Sequence, residues 1–86
     1  MDKIQKEEFD SFDDFEQIEI KRTMNAIEKI TSSSESFKKA VIIYGDVVEG
    51  DYSQLSVGML KAYKKYGTLN NDELKEIDDW IKTKGE

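Results

Sequence analysis

Ala40-Val41-Ile42-Ile43-Tyr44-Gly45-Asp46-Val47-Val48-Glu49 admits two readings, and the choice between them decides the fold class. As strands, Val41–Tyr44 and Val47–Glu49 would form a hairpin around Gly45-Asp46, a permitted two-residue turn. The polar–apolar alternation of a half-buried strand is missing from Ala40 to Tyr44, however. At about 100° per residue, Phe37, Ala40, Val41, Tyr44, Val47 and Val48 instead gather on one arc of a helix. The spacing therefore predicts a helix and an all-α fold. An α+β fold with a short hairpin near residues 41–49 is the alternative, and Gly45 leaves room for an early helix end.

Upstream, Ser32 stands as an N-cap with Glu35 three residues on, the spacing of a capping box that satisfies two orphan backbone donors. A longer helix is expected from Phe9 or Ser11 to Ile30. Phe9, Phe12, Ile20, Met24, Ile27 and Ile30 fall on a stripe roughly 120° wide, and Glu16 lies on it too. Phe15 and Ile18 lie well off it. Either the helix bends or starts late near Asp13, or two of its faces are meant to be covered.

Downstream, Gly50-Asp51-Tyr52 reads as a turn, with Asp51 or Ser53 capping a helix whose stripe is Leu55, Met59, Ala62, Tyr63 and Tyr66. Gly58 inside it suggests a close helix contact, and Gly67 a stop beside lysines that suit the negative helix end. The last helix has the clearest start. Asn70 caps, Asp72 and Glu73 fill the first turn, and Leu69 can staple onto Leu74. Leu74, Ile77, Trp80 and Ile81 form its apolar face. The expectation is a bundle of three or four short helices. Its predicted core holds Phe12, Ile20, Met24, Ile27, Phe37, Val41, Tyr44, Leu55, Met59, Tyr63, Leu74, Ile77 and Ile81.

With 86 residues the chain fits a single domain, 1–86, with residues 1–10 as an acidic arm free to be flexible. Lys plus Arg number 13 against 19 Asp plus Glu, a net charge of −6. The excess sits at the ends: residues 1–19 carry eight acids and two lysines, whereas residues 38–70 carry five lysines and three acids. Cys, His and Pro are all absent. That removes disulfides, thiolate or imidazole metal sites, and the Ser-His-Asp and Cys-His nucleophile arrangements. No enzyme activity, cofactor or metal is expected. The start Met1-Asp2-Lys3-Ile4-Gln5-Lys6 lacks the apolar run of a signal peptide, and no run approaches the ~20 residues of a membrane span. A cytoplasmic protein without a membrane role is the expectation.

The most distinctive segment is Glu7-Glu8-Phe9-Asp10-Ser11-Phe12-Asp13-Asp14-Phe15-Glu16. Phenylalanines interleaved with acids suit a surface that enters an apolar groove with a basic rim on another protein. Phe9 and Phe12 share the core stripe, so Phe15 and Ile18 become the candidate apolar anchors, with Asp10, Asp13, Asp14 and Glu16 as steering charges. A small non-enzymatic regulator or inhibitor that binds another protein is the leading expectation. A DNA-mimic inhibitor of a nucleic-acid-binding protein is the second: Asp10, Asp13, Asp14, Glu16 and Glu19 could begin a phosphate-like row that Asp72, Glu73, Glu76, Asp78 and Asp79 extend. A homodimer joined through Phe15 and Ile18 is the third.

Direct nucleic-acid binding is not expected. Lys61, Lys64 and Lys65 lie in a chain without a basic footprint and without an Arg beside them. Asp46, Glu49 and Asp51 miss the spacing of a calcium loop and read as surface turn acids.

Overall fold

The structure, a computed structural model, describes residues 3–48 and 51–85. Five α-helices run in order: α1 (Lys3–Asp10), α2 (Asp14–Ile27), α3 (Ser33–Val47), α4 (Val57–Tyr66) and α5 (Asn71–Lys84), with a 3-10 turn at Tyr52–Gln54 before α4. The fold is all-α, and the described residues hold no strand. The hairpin alternative is thereby corrected over residues 41–48. Glu49 and Gly50, the rest of that hairpin and of the following turn, lie outside the described residues, as do Met1 and Asp2 of the acidic arm.

The count exceeds the three or four helices expected because the first one breaks. Ser11 and Phe12 close α1 with short bonds back to Glu8 O and Phe9 O, each 3.1 Å. Asp13 then starts α2 with a reciprocal cap: its carboxylate accepts the Glu16 N–H at 2.8 Å, and the Glu16 carboxylate accepts the Asp13 N–H at 2.9 Å. Gln17 Nε2 donates to Phe12 O at 3.0 Å, so the elbow leaves that carbonyl satisfied. Phe9 on α1 and Phe12 in the elbow both stay buried, so one apolar stripe runs through the break into α2.

α2 packs on α3, α3 on α4, and α4 on α5, while α1 returns to pack on α4. The short α2–α3 connection makes that pair antiparallel: Ser36 near the start of α3 meets Glu28 just past the end of α2 at 3.4 Å. Aromatic rings run through the core. Phe9 meets Phe12 edge-on at 6.0 Å, Phe12 stacks with Phe37 at 6.1 Å, and Phe37 meets Tyr66 edge-on at 6.1 Å.

Most of the expected core is buried, and Phe9, Ala40, Tyr52, Leu60 and Ala62 join it. Ile27, Tyr44 and Leu74 are only half-buried. α3 runs through Gly45 instead of ending there, and the glycine leaves room for the Tyr63 ring of α4, which lies where a side chain would sit. Gly58 does mark a close contact: an added Cβ would stand 2.6 Å from the Ser11 carbonyl, so the elbow rests on α4 at this point.

The caps follow the sequence at Ser32 and Asn70. At Ser32 only half of the expected box forms, since the Glu35 carboxylate faces Lys38 at 3.6 Å. The cap of α4 is Ser56, whose hydroxyl accepts the Met59 N–H at 3.1 Å, and neither Asp51 nor Ser53.

Candidate protein-binding face

The residues singled out in the acidic–aromatic segment divide three ways. Phe15 is 64% exposed and Ile18 56% exposed, large apolar side chains left in water on α2. Asp10 and Asp14 are exposed as steering charges would be, and Asp13 is exposed while its carboxylate also caps α2. Glu16 departs from the expectation and is not a surface charge. It is 1% exposed, and its carboxylate accepts the Ser56 N–H at 3.1 Å and the Ser56 hydroxyl at 2.6 Å. The reason is positional: in a helix that starts at Asp14, the third residue turns inward on the same side as Ile20 and Met24.

Phe15 does not stand alone. With Glu19 and Thr23 on α2, it faces Ile43, Tyr44 and Val47 on α3, and Val48 just after it, across a groove of 250 Å³. Val47 is 80% exposed and Ile43 45%. The sequence arc had placed Val47 among core-facing residues. At the other end of α3, Ser36 on the Val47 side meets Glu28, and Gln5 of α1 donates to Ser34 O at 3.2 Å. Toward the far end of α3, Ile43 and Val47 open into the groove. Ile18 lies on the outward side of α2 and does not line it.

The surroundings of the groove are acidic. Burial raises the Tyr44 hydroxyl pKa, and the negative charges of Glu16, Asp13 and Glu19 raise it further. Gln54 lines the groove and donates to Asp51 Oδ2 at 2.5 Å; bonds from Ser53 and Gln54 hold the Asp51 carboxyl below its usual range. The cations of α2 and α3 are mostly engaged. Arg22 lies 3.2 Å from Glu19, Lys38 meets Glu35, Lys21 sits 6.0 Å from the centre of the Phe9 ring, and Lys39 falls one turn before Ile43.

Three acids of the expected phosphate-like row are engaged within the fold. Glu73 is committed to the α5 cap and also accepts from the Tyr52 hydroxyl at 3.3 Å. Asp78 is paired with Lys64 at 2.6 Å, and Glu16 is buried. On α4, Lys65 and the Tyr66 hydroxyl both reach Glu8 of α1 at 2.8 Å, closing one side of a 350 Å³ hollow between the two helices. These lysines serve the packing of α1 and α5 on α4. No helix among the described residues is long and apolar enough to cross a membrane.

No family model, curated protein or solved structure matches the chain.

Proposed function

We propose that this protein is a small non-enzymatic regulator that acts by binding another protein through the open face of α2 and α3. The observation that carries the reading is the solvent exposure of Phe15, Ile43 and Val47 around one groove, in a chain whose other large apolar residues mostly supply a closed core. Contiguous exposed apolar surface rimmed by charge is characteristic of interaction sites, and aromatic anchors carry a large share of binding energy at such sites. Asp10, Asp13 and Asp14 precede Phe15 and speed encounter with a basic partner surface. Ile18, on the adjoining side of α2, widens the contact. Glu16 belongs to the scaffold that holds this face in shape.

The test is affinity capture from nuclease-treated lysate of the source cells at moderate salt, comparing the native chain with a Phe15→Ala, Val47→Ser double variant. One stoichiometric partner retained by the native chain and lost by the variant supports the reading. The same set of proteins on both overturns it.

A further inference from the structure

We propose that the groove between α2 and α3 seats an amphipathic helix about two turns long from the partner protein, with apolar side chains on one face and lysine or arginine along its flanks. This deepens the function proposed above and rests on it. The length follows from the walls: Phe15, Glu19 and Thr23 recur at every fourth position of α2, a span of about 12 Å at 1.5 Å per residue. Ile43 to Val48 forms the opposing wall. Two antiparallel helices with an open furrow between them present the surface on which a third helix lies by ridge-and-groove packing.

The groove's 250 Å³ falls below the roughly 300–1,000 Å³ of small-molecule sites. It suits one or two inserted side chains. The described residues offer no strand edge for an extended peptide to pair with.

Charge selects the class of occupant. Glu19 lines the groove, Asp13 and Asp14 flank Phe15, and Asp51 holds Gln54 at the far rim. Arg22, 3.2 Å from Glu19, and Lys39, one turn before Ile43, offset part of this charge, so the exposed Asp13, Asp14 and Asp51 carry the selection. A helix with basic flanks places its cations against these acids. A second copy of this chain, with net charge −6, would bring acid against acid across a two-fold contact.

The test uses the full chain and a displayed library of helical peptides, with two leucines fixed four residues apart and the flanking positions randomised. Peptides selected on the native chain are rebound to a Val47→Ser variant and to a Glu19→Lys, Asp14→Lys variant. Circular dichroism verifies that both variants keep the native helix content. The expected winners are enriched in lysine and arginine at the flanks and lose at least tenfold in affinity on either variant. They also weaken as salt is raised.

Winners with neutral or acidic flanks that still depend on Val47 overturn the basic occupant and leave the binding face standing. Winners indifferent to Val47→Ser, or no winners at all, overturn the seat in the groove. Indifferent winners also count against the α2–α3 face itself. A native chain that sediments as a dimer, converted to monomer by Val47→Ser, makes the occupant a second copy and overturns the proposal.

Discussion

The Glu16 carboxylate caps two helices at once. One oxygen closes the α2 cap on the Asp13 N–H and also accepts the Ser56 hydroxyl, and the other accepts the Ser56 N–H, forty residues away in sequence. Ser56 is itself the N-cap of α4. Glu16→Ala would leave part-buried donors at both helix starts without their acceptor, and each orphaned group costs up to about 1–3 kcal/mol when fully buried. The expected loss is about 2–4 kcal/mol in urea unfolding, with a smaller loss for Ser56→Ala. The double variant should lose less than the two single losses added, because the residues share their bonds. Fully additive losses would show that the shared carboxylate does not couple the helices.

The start of α2 was present in the sequence as Asp13-Asp14-Phe15-Glu16, an N-cap residue with Glu three places on. It was masked because Phe9 and Phe12 continue the apolar stripe of α2 across the break, and periodicity registers the shared core instead of the elbow. Ser32, Gly67 and Asn70 were legible because caps are local chemistry. Tyr52 was not: its ring packs on Tyr63 and its hydroxyl donates to Glu73, pairings with no local signature. Ser56 is as local a cap as Ser32 or Asn70, but Asp51 and Ser53 stand before it as rival starts of the same helix. Half of the candidate face, Phe15 and Ile18, was readable from a helical wheel. Ile43 and Val47 were not, because their exposure depends on how far along α3 its neighbours reach.

Gly45→Ala sets two effects against each other. Alanine in place of glycine within a helix gains about 1 kcal/mol from propensity. Here its methyl would occupy the space of the Tyr63 ring, and overpacking of this kind costs about 1–3 kcal/mol. Tyr63 is poorly placed to yield, since its hydroxyl donates to Asp46 Oδ1 at 2.8 Å. Net destabilisation is expected by chemical denaturation. A stabilised variant would show that the ring can move aside freely.

At alkaline pH the tyrosines should control stability. Burial, followed by the hydrogen bond to Asp46, raises the Tyr63 pKa well above the ordinary 10.0. Tyr66 is raised by burial and its bond to Glu8, and Tyr44 by burial and nearby carboxylates. A raised pKa means that the folded state holds its proton more tightly than the unfolded one. The associated stability is therefore complete below about pH 10 and is lost as pH climbs through the folded-state values. Unfolding free energies should fall from about pH 10 upward, and Tyr63→Phe should flatten that slope. Tyrosinate absorbance provides an independent check, with these three residues ionising late. A Tyr63→Phe variant with an unchanged slope would remove Tyr63 from the explanation.

Phe15 and Val47 should behave in the opposite way to Glu16. Each is largely solvent-exposed, so truncation removes little buried surface. Exposed substitutions away from caps and cores usually change stability by no more than about 0.5 kcal/mol. At a binding face, by contrast, truncating a central aromatic anchor costs about 2 kcal/mol or more, over tenfold in affinity. Phe15→Ala and Val47→Ser are thus expected to unfold at nearly the native urea midpoint while losing at least tenfold in affinity for a partner seated on the α2–α3 groove. Ile18→Ala should lose less, because Ile18 does not line that groove. If Phe15→Ala instead costs as much stability as Glu16→Ala, the side chain is part of the fold in solution. The exposed face would then close within the chain, leaving no groove for a partner to enter.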